Sequence, residues 1–155
     1  DSDSTATISV ASSVEEGTTR RIFTGWGGDF SGETATASVI MNSPKTITAK
    51  WRTDYLLTME SAYGQPQGEG WYESGSMATI SVAPVQGIII RRIFTGWSGD
   101  FTATTATTSV AMNSPKAITA NWRTDYTQLY IIIAGVIGII VLAVAITTIV
   151  RRRQS

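Results

Sequence analysis

Asp29 and Asp100 each stand in a Gly-Asp-Phe turn, where a carboxylate held by the backbone could begin a cation site. Calcium needs about six to eight oxygens, usually from several carboxylates close in sequence. Each turn offers one Asp, so the better reading is a side chain capping its own turn. Two Arg doublets, Arg20–Arg21 and Arg91–Arg92, could hold an anionic polymer such as a surface glycan, or could be a strand's solvent face pairing with nearby acids. Tyr63, Trp71 and Tyr72 flank a Gly-rich loop and are a possible surface contact. A ring there can stack on a sugar or a neighbouring protein; alternatively Trp71 folds back over the open end of its own sheet. The sequence contains no Cys and no His, which removes thiol chemistry, disulfides and the commonest general base and zinc ligand. Ser and Asp are plentiful, but no base stands by to activate a hydroxyl. No catalytic, cofactor or metal residue is assigned, and the chain is expected not to be an enzyme.

The formal net charge is zero, and it is segregated. Residues 1–127 carry nine cations against twelve acids, and Arg151, Arg152 and Arg153 restore the balance. A mildly acidic body followed by a basic tail argues against a nucleic-acid partner, which would want a basic stripe on the folded part. Charged residues are 15% of the chain, below the roughly 25% of soluble domains.

The elements that position these residues come in duplicate. RRIFTGWGGDF at Arg20–Phe30 returns as RRIFTGWSGDF at Arg91–Phe101, an offset of 71 residues. MNSPK at Met41 and Met112, and WRTDY at Trp51 and Trp122, share that offset, which is the signature of a repeated supersecondary unit. The first copy has no counterpart of Tyr55–Tyr72, so residue 1 reads as an internal point of a longer array. Alternation over Tyr55–Glu60 and Thr79–Ala83 predicts strands, as do Arg91–Trp97, Thr107–Met112 and Ala117–Trp122. Asn-Ser-Pro-Lys reads as a hairpin turn between the last two. Trp26, Trp51, Trp97 and Trp122 are expected to bury their rings in the cores of their units. Trp51–Leu57, lacking Gly or Pro, is expected to run as nearly continuous strand from one unit into the next.

Leu129–Val150 is 22 residues without a charge. At about 1.5 Å per residue it reaches about 33 Å, enough for a bilayer core of about 30 Å. Tyr126 and Tyr130 would anchor the entry, and Arg151, Arg152 and Arg153 the exit. By the positive-inside rule the N-terminus lies outside and the C-terminus in the cytoplasm, giving a single-pass cell-membrane protein in contact with membrane lipid. Gly135, Gly138, Leu142 and Ala145 fall at heptad spacing, and Ala134 with Gly138 forms a small-xxx-small pair. This face would suit close packing on another transmembrane helix, in a homo- or hetero-oligomer.

Tyr55-Leu56-Leu57-Thr58, Gly70-Trp71-Tyr72, Phe94-Thr95-Gly96-Trp97-Ser98-Gly99, Met112-Asn113 and Ile118-Thr119-Ala120-Asn121-Trp122 together resemble the divergent internalin-B-type B-repeat. The version here looks especially like tandem arrays at the C-terminal ends of archaeal membrane-anchored surface proteins. The resemblance covers residues 1–126 and implies an extracellular all-β module without an active site of its own. The expected fold class is an all-β tandem repeat, of small antiparallel sandwich or open-barrel units, followed by a single C-terminal transmembrane helix. Its parts are a truncated first repeat (1–53), a complete second repeat (54–126), the transmembrane helix (127–150) and a cytoplasmic basic tail (151–155). The function expected is a non-catalytic, membrane-anchored stalk, spacer or adhesive module, with a surface-layer protein or glycan as a possible partner. Two alternatives stand beside it: an accessory single-span subunit of a larger archaeal membrane complex, such as a respiratory or surface-layer assembly, and the C-terminal anchor of an enzyme whose catalytic head lies upstream of Asp1.

Overall fold

The computed structural model describes residues 4–154. Its organising element is β5 (Ile47–Ser61), a 15-residue strand that belongs to both repeats. The first part of β5 pairs antiparallel with β3 (Thr19–Gly28), from Gly28 opposite Ile47 to Thr19 opposite Tyr55. Its last residues pair in parallel with β11 (Lys116–Asp125), from Leu57 opposite Lys116 to Ser61 opposite Ala120. Between them, on the other edge of β5, lies β6 (Gly70–Glu73), antiparallel from Asp54 opposite Glu73 to Leu57 opposite Gly70. Beyond β3 comes β2 (Ser13–Glu16); beyond β11 come β9 (Arg91–Gly99) and β8 (Val85–Gln86). The result is one seven-stranded half-barrel sheet running through both units.

Each unit adds a two-stranded antiparallel sheet: β1 (Ser4–Ser9) with β4 (Thr36–Met41), and β7 (Met77–Ser81) with β10 (Thr107–Ala111). In the second unit this pair closes the core. Ala78, Ile80 and Val110 pack on Leu57, Phe94, Trp97, Ile118 and Ala120 of the large sheet, with Val82 and Met112 beside them. Strand alternation supplies this set, since residues two apart share a face.

The repeated FTGW box carries a β-bulge. The register of β9 on β11 shifts between Phe94 and Gly96, and that of β3 on β5 between Phe23 and Gly25. The displaced residue turns Trp97 inward, where its backbone N–H donates to Ala103 O at 2.7 Å and its indole N–H to Thr105 O at 3.0 Å. Gly96 is required there: its φ is +148°, and a Cβ would stand 2.8 Å from Ala103 O.

Three expectations need correction. MNSPK is not a hairpin turn, because β10 pairs with β7 while β11 pairs with β9 and β5; the segment is an arch between two sheets. The second unit is not wholly antiparallel. Its first strand continues the last strand of the first unit, so it runs in the same direction as its own last strand, β11. Trp51 is not a core ring. It is 37% exposed, whereas Trp97 is 3% exposed and Trp26 is also buried.

The chain ends in α1 (Thr127–Gln154), none of whose residues is buried. Asp125 Oδ1 accepts the N–H of Thr127 at 2.9 Å and its hydroxyl at 2.6 Å, capping the helix directly off β11. The helix is long and apolar enough to cross a membrane. Thr147 and Thr148 both donate their hydroxyls to Val144 O at 2.8 Å, so neither leaves a polar group unpaired in the apolar stretch.

Candidate functional site

The seam between the units is built on the WRTDY box. Asp54 lies mid-strand in β5 with Arg20 opposite on β3 and Glu73 opposite on β6. It is 2% exposed. Arg20 Nη2 donates to Oδ2 at 2.9 Å, while Arg52 Nε donates to Oδ1 at 2.9 Å and its Nη2 to Oδ2 at 3.3 Å. Burial pushes the Asp54 carboxyl up, but the hydrogen bonds and charges of the two guanidiniums outweigh it and hold the group below the usual carboxylate range. Asp54 in turn raises Arg52. Guanidinium donors thus occupy three of the carboxylate's roughly four lone-pair positions and tie β5 to β3 at the seam.

The aromatic residues of the Gly-rich loop are distributed around this clasp. Trp71, half-buried, lies under the Arg20 guanidinium at 4.7 Å from the ring centroid. Tyr72 packs against the second core and donates its hydroxyl to Gly68 O at 2.8 Å. Tyr63 stands edge-on to Trp122 at 6.2 Å and lies 4.6 Å under Arg92. The three rings are thus apart, each engaged by the fold, with Tyr63 still 39% exposed. An open depression of about 580 Å³ beside them is lined by Gly64, Gln65, Gln67, Ala83 and Gln86, none of which titrates.

Asp29 and Asp100 bind backbone, though not that of their own turns. Asp29 Oδ2 accepts the N–H of Thr46 at 2.7 Å, and Asp100 Oδ2 that of Ala117 at 2.8 Å. Asp29 thereby pins the start of β5 and Asp100 the start of β11, the last strand of each unit. Among the described residues, no group of three or more carboxylates gathers where a metal ion could sit.

On α1, Tyr130 packs against Tyr126 at 6.3 Å, just after β11. Arg151, Arg152 and Arg153 occupy the last turn. Ala134, Gly135, Gly138, Leu142 and Ala145 are all exposed, and a Cβ at Gly135 or Gly138 would meet nothing. Sequence reasoning noted the WRTDY box as a junction but did not single out Asp54, Arg52 or Asp125. The Asp of the WRTDY box, recurring at Asp54 and Asp125 beside strand-forming residues, was the available signal.

Comparison with curated proteins and with solved structures finds no match. The family model for the divergent InlB B-repeat domain matches residues 2–54 and 55–125, meeting inside β5 beside Asp54. With both units covered and the seam at the join, the chain belongs to the divergent InlB B-repeat family: two tandem repeats followed by an apolar helix able to cross a membrane.

Proposed function

We propose that this chain is an extracellular stalk or spacer, anchored in the cell membrane by α1 as a single pass, with its repeats outside and its Arg tail in the cytoplasm. The observation that carries the reading is the continuity of the frame. β5 crosses the seam as one strand, and Asp125, the last residue of β11 and still opposite Arg91, caps α1, which begins two residues on at Thr127, so no flexible linker separates unit from unit or unit from helix. Such a frame holds whatever it carries at a set distance from the bilayer. The tyrosine pair at one end of the helix and the three arginines at the other favour this orientation.

The chain has no Cys, so single-cysteine variants report topology directly. In intact cells, Ser13→Cys should react with a membrane-impermeant maleimide, and Gln154→Cys only after permeabilisation. The reverse pattern would invert the topology, and recovery of the chain in the soluble fraction would end the anchor reading.

A further inference from the structure

Trp51 and Trp122 occupy the same place in the two units, yet only Trp122 is covered. Tyr63 packs on it, Ser61 Oγ accepts its indole N–H at 3.0 Å, and the backbone at Gly64 closes over it, where a Cβ would stand 3.3 Å from the ring and 3.1 Å from Val82. This cover arrives on the parallel pairing of Leu57–Ser61 with β11, with Leu57 fully buried beneath. In the first unit the equivalent surface is open. Val10, Met41 and Ile47 are half-buried where Val82, Met112 and Ile118 are buried, and Arg21, the counterpart of Arg92, is exposed. The backbone at Lys45–Ala49 corresponds to Lys116–Ala120, and among the described residues it has β3 on one side and no strand on the other. Lys45 does not protect this edge, since its counterpart Lys116 sits inside the paired register.

We propose that this edge is an acceptor for an extended B-repeat junction segment with the chemistry of residues 57–64, Leu-Thr-Met-Glu-Ser-Ala-Tyr-Gly. The occupant is identified by the chain itself, which shows that segment seated on the same surface one repeat along. It would pair in parallel with Lys45–Ala49, set its Leu under Met41 and Ile47, and lay its Tyr on Trp51 below Arg21. This is strand addition with main-chain hydrogen bonds for affinity and an apolar pocket for selection. It goes beyond the anchor reading and is independent of α1.

The test uses the full chain in detergent micelles and a synthetic peptide of residues 55–72. Binding should saturate at one peptide per chain, slow amide exchange over 45–51 and 6–10, and leave 116–122 unchanged. Peptide Leu57→Asp and protein Arg21→Ala, a change at an exposed side chain, should each weaken binding, the first by about tenfold or more. The proposal is overturned if excess peptide leaves 45–51 unprotected, or if the Leu57→Asp peptide binds as tightly. It is equally overturned if 45–51 becomes protected without peptide as protein concentration rises, which would give the edge to a second copy.

A different observation concerns the other end of the molecule. The β8–β9 turn carries Ile88, Ile89 and Ile90, 87%, 48% and 43% exposed, where the equivalent β2–β3 turn of the first unit has Gly17-Thr18-Thr19. A depression lined by Val85, Gly87, Ile88, Arg91 and Gln128 places this turn beside the first turn of α1. We infer that the Ile88–Ile90 turn inserts into the outer interface of the bilayer that α1 crosses; this rests on the anchor reading. An environment-sensitive dye at Ile89→Cys, in phosphatidylcholine vesicles with spin-labelled lipid, should be quenched, and the same dye at Thr18→Cys should not. A quenched Val141→Cys with an unquenched Ile89→Cys overturns the inference alone; an unquenched Val141→Cys overturns the anchor itself.

Discussion

Arg20 and Asp54 meet at 2.9 Å beside the seam, and the same guanidinium lies over the Trp71 ring of the second unit. Removing one partner of a buried pair strands the other in a low-dielectric site. Asp54→Asn should therefore cost about 2–4 kcal/mol, read as a lower melting temperature in the near-ultraviolet tryptophan signal.

The same pair makes stability pH-dependent. The native Asp54 carboxyl titrates below its unfolded value, so its contribution is fully present above about pH 4 and is lost as pH falls through the lowered native value. Melting temperatures measured from pH 6 downward should fall more steeply for the wild type than for Asp54→Asn. Parallel curves would remove Asp54 from the acid response.

Gly99 and Gly75 both sit at positive φ, +101° and +84°, but a Cβ at Gly99 would stand 2.4 Å from Ala117 O while one at Gly75 meets nothing. Gly75→Ala should cost about 1 kcal/mol from backbone strain, and Gly99→Ala clearly more, because the turn that carries Asp100 must move. Equal losses in paired denaturation curves would contradict this ordering.

Asp125 holds the start of α1, and its hydrogen bonds from Thr127 keep its carboxyl below the usual range. Asp125→Ala should loosen the first helical turn and speed amide exchange there by about fivefold. Asp125→Asn, which keeps an acceptor oxygen, should lose less. In the wild type the protection factors of the same amides, measured against their intrinsic rates at each pH, should drop as pH falls through the lowered carboxyl value.

Gly138 lies on the exposed small-residue face of α1. If that face meets another helix, Gly138→Ile should weaken association in a membrane two-hybrid or crosslinking measurement. Unchanged association would assign the glycines to helix packing no role.

Much of the fold was legible because repetition supplied its own control. Two copies of FTGW and WRTDY fixed the unit length, and strand patterning located β7, β9 and β10 to within about two residues, while β11 runs on past the expected Trp122 to Asp125. The parallel β5·β11 pairing was not legible, since nothing in Leu57–Ser61 distinguishes a parallel neighbour from an antiparallel one. The MNSPK arch misled because a Pro turn looks alike whether the chain returns to its neighbour or crosses to another sheet. Trp51 misled for a different reason: identical boxes implied identical burial, whereas burial depends on the segment that covers them. At the seam, the repeated Asp was visible while its two destinies were not. Asp54 is enclosed by Arg20, Arg52 and the β6 strand, and Asp125, in the same place one unit later, starts a helix.

The parallel pairing of β5 with β11 sets how the chain bears mechanical load. A pull between the first unit and α1 draws β5 back through its N-terminal end and β11 forward through its C-terminal end. Because the two strands run in the same direction, that tension slides them past each other in shear, so the hydrogen bonds from Leu57 to Ser61 must yield together and not one at a time. The strand that joins the two repeats is thereby also the clamp that keeps the second one folded under force.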